Sequence, residues 1–198
     1  MKILPFKDTH RIIIDPGEHY VSRKPEVIST LLGSCVSACL FDPVKQVFGM
    51  NHFLLAYGHH TNNKPLIQSD EGRYGIYAME LLINDMMKQG ASRSDLKAKC
   101  FGGGNVLKLR EDKDNKQTVG DVNVQFIKEF LSAENIPLLS SSLGGQHGRN
   151  VYFVGSDYSV FVKKINTQQE HMLENEERRY WKRSVDELDH AKSSTDFW

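Results

Sequence analysis

The chain has 198 residues, enough for one domain with a real hydrophobic core. Its 25 Lys plus Arg balance 25 Asp plus Glu, so the zero net charge leaves no electrostatic footprint for nucleic acid or an anionic membrane. No apolar run approaches the ~20 residues that span a bilayer. Residues 1–7 carry Pro5 in place of a secretory pattern, so a cytoplasmic protein without membrane insertion is expected. Three cysteines without a CxxC pair argue against a disulfide framework or a cysteine-based zinc site, and leave a thiol free to act as a nucleophile.

In chain order, residues 11–14 form a short apolar strand that ends at Asp15-Pro16-Gly17. Residues 27–32 make a second extended segment, closed by Gly33. Residues 34–41 and 47–56 follow as a β-hairpin around Asp42-Pro43, a pair suited to a type I turn. The polar stretch 57–72, with His59 and His60, is a surface loop; no Cys, Asp or Glu stands near the two histidines at ligand spacing. Ile76, Met79, Ile83 and Met86 share a face of a helix over 74–89, which Gly90 stops. Residues 97–102 form a strand that runs into Gly102-Gly103-Gly104, and 109–117 form a charged loop. Asp121 caps a second helix reaching Asn135, with Val124, Ile127, Phe130 and Leu131 on its apolar face. Strands follow at 136–140, 151–155 and 159–165. From residue 166 onward Glu, Arg and Lys dominate, which predicts a charged helix outside a main domain of residues 1–165. Its thin apolar stripe suggests loose docking through Trp181 or a partner-binding arm, in neither case involving the active site.

If the hairpin is centred between Pro43 and Val44, Cys39 faces Phe48 and Cys35 faces His52. Directly opposed Cβ atoms lie ~4.5–5.5 Å apart, within reach of a thiol–imidazole hydrogen bond. A thiolate–imidazolium pair there is an activated nucleophile for acyl transfer. Gly33 and Ser34, just before Cys35, allow a bend with exposed backbone N–H groups, the requirement of an oxyanion site. Against this, cysteine is commonly a small buried hydrophobe, and a histidine on an apolar face is often a core residue. Cys39 and Cys100 have no base opposite them in this register and are read as packed.

The run Leu32-Gly33-Ser34-Cys35-Val36-Ser37-Ala38-Cys39-Leu40-Phe41-Asp42-Pro43, followed by Gly49-Met50-Asn51-His52, resembles the signature of the CheD family of chemoreceptor glutamine deamidases. Further similarities are Pro16-Gly17-Glu18 before Tyr20-Val21, the segment at 74–82, Lys99-Cys100-Phe101-Gly102-Gly103-Gly104, Gly120 with Asn123, and Gly144-Gly145 with Gly148-Arg149. The resemblance spans roughly residues 10–165.

It implies an α/β fold, an α+β sandwich of mixed, largely antiparallel sheets with helices, related to deamidase toxins such as the cytotoxic necrotizing factors. It also implies that Cys35 is the nucleophile, His52 the general base, and Ser29 the third catalytic hydroxyl, with Thr30 beside it as the alternative. The implied activity is deamidation of glutamines on methyl-accepting chemotaxis receptors, with no cofactor or metal, and with a CheC-type phosphatase as a further partner. Two other readings stay open: a mainly non-catalytic scaffold that binds CheC or receptors, and a thiol peptidase or small-molecule amidase. The Gly144–Arg149 turn is read as a glycine-rich bend rather than a catalytic element.

Overall fold

The computed structural model describes residues 1–55, 66–106, 118–165 and 167–195. Ten strands are described: β1 (Lys2–Phe6), β2 (Thr9–Ile13), β3 (His19–Ser22), β4 (Val27–Leu32), β5 (Val36–Asp42), β6 (Val47–Asn51), β7 (Lys97–Gly102), β8 (Leu138–Leu143), β9 (Arg149–Val154) and β10 (Val160–Lys164). The helices are α1 (Asp70–Lys88), α2 (Val119–Ala133) and α3 (Thr167–Thr195).

The strands form two five-stranded sheets, ordered β1-β2-β4-β9-β10 and β3-β6-β5-β7-β8. Only β2–β4 and β7–β8 pair in parallel. The expected mixed, largely antiparallel architecture is therefore what the chain adopts.

Strand periodicity decides the layers, because alternate side chains leave a strand on opposite faces. Cys35, Cys39, Phe41, Phe48, Met50 and Leu54 pack with Ile12, Ile28, Val151 and Phe153 of the other sheet. Val36, Ala38, Leu40, Val47 and Phe53 pack on the opposite face against Met79, Ile83, Phe126 and Phe130 of α1 and α2. The order is thus sheet, sheet, helices, and β5 is buried along its whole length.

Most expected elements are present, with shifted ends. Helix α1 begins at Asp70, earlier than the apolar periodicity indicates, because Ser69 accepts a hydrogen bond from Gly72 N and starts the helix. Helix α2 is capped by Thr118, with Asp121 completing a capping box from the third helical position. Strands β1 and β3 were not expected. The first is exposed throughout and contains Pro5, so it carries no alternating pattern; the second has only four residues. The expected loop with His59 and His60 lies largely outside the described residues, as do the charged loop at 109–117 and the end of the chain at 196–198.

One correction bears on the site. Cys39 pairs with Met50 and Phe41 with Phe48, so opposed residue numbers sum to 89 in place of 87. The Asp42 carboxylate accepts from Val44 N at 2.8 Å and Lys45 N at 2.9 Å, and Gln46 takes a positive φ of 55°. Those contacts hold Pro43 to Gln46 out of the ladder and move the hairpin centre one residue onward.

Candidate active site

The shifted register makes Cys35 and His52 diagonal neighbours, not directly opposed ones. Val36 and Phe53 exchange two backbone hydrogen bonds of 2.9 Å. Cys35 and His52 each precede one of that pair, on the face that looks toward the other sheet. Diagonal neighbours of this kind lie about 7–8 Å apart, which an imidazole can bridge. Both residues are enclosed: Cys35 is 0% exposed and His52 2%. The His52 backbone is tied to the turn after β2, with His52 N donating to Glu18 O at 2.9 Å and Gly17 N to His52 O at 2.8 Å.

The adjacent hydroxyls of β4 point opposite ways. Thr30 Oγ1 donates to the carbonyl of Ile14 at 2.7 Å and lies 2.7 Å from His52 Nδ1. A carbonyl only accepts, so the single Thr30 proton goes to Ile14, and Thr30 must accept from His52. The imidazole is therefore protonated on Nδ1, leaving a lone pair on Nε2. Nε2 is buried without a hydrogen-bond partner among the described residues. Ser29 instead accepts from Arg11 Nε at 2.8 Å, away from the imidazole. Of the two hydroxyls left open by the sequence, the structure brings Thr30 to His52 and does not bring Ser29.

Backbone N–H groups converge ahead of Cys35, where strand β4 breaks off before β5. Gly104 N donates to Gly33 O at 2.6 Å and Gly103 N to Cys35 O at 2.7 Å, which anchors the bend from behind. Gly102 is required there: it adopts φ +107°, and a Cβ would come within 2.1 Å of the Cys35 carbonyl oxygen. Asn123 of α2 adds a side-chain tie, donating to Ser34 O at 3.1 Å and accepting from Leu55 N at 2.8 Å. The result is a nest of successive N–H groups that suits an anion.

That nest holds Glu177 of α3. Its carboxylate accepts from Gly33 N at 2.9 Å, Ser34 N at 2.9 Å and Cys35 N at 3.2 Å, and from the Ser34 hydroxyl. Glu177 is 0% exposed. A helix expected to dock through Trp181 or serve as a partner-binding arm, in neither case involving the site, thus closes it. The residue spacing hid this: Glu177 falls among many surface-type glutamates. Its one signal was its place in the stripe with Leu173, Trp181 and Leu188.

The electrostatics follow from the closure. Burial, and then the Glu177 carboxylate beside it, push the Cys35 thiol well above its ordinary range. Burial pulls His52 down to about 3, against a weaker opposing pull from Glu18. Both groups are neutral near pH 7, so the expected thiolate–imidazolium pair is not formed while α3 is docked. Cys39 is also raised by burial, and Cys100 is pushed up to about 12 by the same cause. Arg149 spans the 144–148 bend, donating to the carbonyls of Ser142, Gly144 and His147, so that turn is stapled by its own arginine. Among the described residues no three His, Cys, Asp or Glu side chains are grouped to hold a metal.

Comparisons with known proteins place the chain in a family. The family model described as CheD chemotactic sensory transduction matches residues 56–164, more than half of the chain. The protein named probable chemoreceptor glutamine deamidase CheD 1 of Geobacter sulfurreducens is 48% identical over 189 residues, covering 96% of this chain and 94% of its own. Probable chemoreceptor glutamine deamidase CheD 2 of Shewanella oneidensis is 45% identical, covering 95% and 94%. The probable chemoreceptor glutamine deamidase CheD of Janthinobacterium sp. is 44% identical, covering 88% and 82%. Among solved structures, the Bacillus licheniformis hypothetical protein YfiH aligns with 63% of this chain and 49% of its own at 18% identity. Its TM-score of 0.36 carries no argument. The family match and the near full-length relatives together mean that the chain belongs to the CheD family.

Proposed function

We propose that this chain hydrolyses glutamine side chains of chemoreceptors to glutamate, the activity named for its relatives, with Cys35 as nucleophile and His52 as general base. The observation that carries the reading is a nest of three N–H groups at the nucleophile that already binds a glutamate side-chain carboxylate. That is the functional group the reaction produces.

In the proposed cycle, a receptor glutamine places its carbonyl oxygen in the nest. His52 Nε2 takes the Cys35 proton, and the thiolate attacks the carbonyl carbon. The oxyanion is held by the N–H groups of Gly33, Ser34 and Cys35. The C–N bond breaks, His52 gives its proton to the departing ammonia, and a thioester remains. Water, deprotonated by His52, cleaves the C–S bond, which restores the thiol and leaves glutamate. Thr30 serves as the positioning residue that holds the proton on Nδ1 and so keeps the lone pair on Nε2. Receptor methyl esters would react by the same thioester route. Ser29, bonded to Arg11, takes no part in this scheme.

The substrate glutamines would lie on cytoplasmic receptor helices, so the work is assigned to the cytoplasm. No helix among the described residues is long and apolar enough to cross a membrane. A CheC-type phosphatase is the further partner in this reading. The closed site also favours a second reading, a regulator that binds partners without turnover. Mass spectrometry of a receptor cytoplasmic fragment separates the two. A gain of about one mass unit per modified glutamine, lost with Cys35→Ala, is the expected result; no gain with the unmodified chain would leave the binding role.

A further inference from the structure

Helix α3 sits on a surface made to receive a helix. Three glycines line the contact, and a Cβ on any of them would collide with α3. At Gly17 it would meet the Tyr180 hydroxyl at 2.8 Å, at Gly33 the Glu177 carboxylate at 2.8 Å, and at Gly148 Leu173 Cδ2 at 2.8 Å. Leu173, Glu177, Tyr180, Trp181 and Ser184 fall at i, i+4, i+7, i+8 and i+11, one face of a helix. Tyr180 and Trp181 pack against the cluster that contains Cys35, and Glu177 projects from the middle of the face into the N–H groups.

The helix is held there by few apolar contacts. Among its described residues only Leu173, Glu177 and Ser184 are fully buried. Trp181 Nε1 is buried with no hydrogen-bond partner among the described residues. The helix's strongest tie is the carboxylate in the nest, which the reacting group of a substrate would replace in kind.

Resting on the deamidase reading, we infer that the surface beneath α3 is the groove for a substrate α-helix presenting a glutamine side chain. Helix α3 occupies that groove itself, with Glu177 standing where the product carboxylate of a bound helix would lie. Substrate helix and α3 are then competitors for one groove. While α3 is in place Glu177 fills the amides at Cys35, and Nε2 of His52 has no hydrogen-bond partner among the described residues; release of α3 opens the nest and gives the imidazole access to the thiol. The substrate class follows from the occupant: a helix whose glutamine projects from a face flanked by an apolar residue one turn before and aromatic or small residues one turn after.

The test uses the full-length chain. Peptide mapping after iodoacetamide treatment reads each cysteine separately, with a receptor fragment assayed in parallel. Glu177→Ala removes the carboxylate, and Leu173→Glu loosens the helix at a point away from the nest. If α3 fills the groove nine-tenths of the time or more, Cys35 labelling rises about tenfold or more in both variants. Cys39 and Cys100 keep their parent rates, which distinguishes undocking from unfolding, and receptor conversion rises with Cys35 labelling.

Glu177→Gln, nearly isosteric, offers the site a tethered substrate. Attack by Cys35 would release its amide nitrogen as ammonia and form a thioester that water hydrolyses. Position 177 then gains about one mass unit, and does not when Cys35→Ala is added. Equal Cys35 labelling in parent and variants would overturn the inference. So would faster labelling with reduced receptor conversion, which would make Glu177 part of the machinery. Position 177 left as glutamine by a protein that converts the receptor fragment would overturn the product stand-in. Faster labelling with no receptor conversion by any of the proteins would uphold α3 as the occupant and overturn the deamidase reading instead.

Discussion

The hairpin and the C-terminal helix meet at the same cysteine by different physics. Strands β5 and β6 are buried on both faces, between a second sheet and two helices, so removing them would dismantle the core. Helix α3 is largely polar; among the described residues it is held by Glu177 in the nest, a Glu170–His147 contact, Leu173 and the rings of Tyr180 and Trp181. In the proposed scheme the hairpin therefore carries the chemistry, and the helix makes a contact that a competitor would replace. Burying a carboxylate is costly unless N–H groups compensate it, and here three do. Those three donors also suit a reaction oxyanion, so in the proposed scheme one structure would serve both closure and catalysis.

The largest effect should come from the hairpin's proposed nucleophile. Cys35→Ala should lower receptor-glutamine conversion by roughly 10³-fold or more, with circular dichroism unchanged. Conversion within tenfold of the parent would move the nucleophile elsewhere. Next, His52→Ala should cost roughly 10²–10⁴ in turnover, the worth of a general base. A few-fold loss would mean that another base serves.

The two hydroxyls of β4 give a sharper contrast. Thr30→Val removes the acceptor that sets the His52 tautomer and should cost turnover roughly 10²-fold, as for a misplaced catalytic group. Ser29→Ala should stay within a few-fold of the parent and register mainly in stability, by about 1 kcal/mol for a lost hydrogen bond. Kinetics showing the reverse order would restore Ser29 to the site.

The smallest effect is a pH dependence. His52 is held near 3 in the folded chain against 6.5 for a free imidazole, so between these values the unfolded state binds more protons. This residue's contribution to stability is present above pH 6.5 and is lost as pH falls toward about 3. Denaturant midpoints measured across that window should slope less steeply for His52→Gln than for the parent. Identical slopes would indicate that the imidazole is not buried as described.

Much of the site was legible in residue order. A cysteine behind Gly33-Ser34 and a histidine across a short turn placed the proposed nucleophile and base on one sheet face, because strand parity survives a two-residue change of register. The change itself was not legible: it depends on Asp42 reaching the amides of Val44 and Lys45, and several turns suit Asp-Pro. Ser29 and Thr30 could not be ranked, since which face of β4 looks toward His52 is decided by pairing with β2 and β9. The longest separation was the least legible. Glu177 lies 142 residues from Cys35, and one glutamate in a charged helix looks like any other until the helix is docked.

Residue order determined most of the strands, the helices, and the cysteine, histidine and N–H groups on which the proposed chemistry rests, because these follow from periodicity and from short separations along the chain. Tertiary structure alone decided the imidazole tautomer and the closure of the nest. Each rests on a hydrogen bond between segments that meet only when the sheets and α3 have packed.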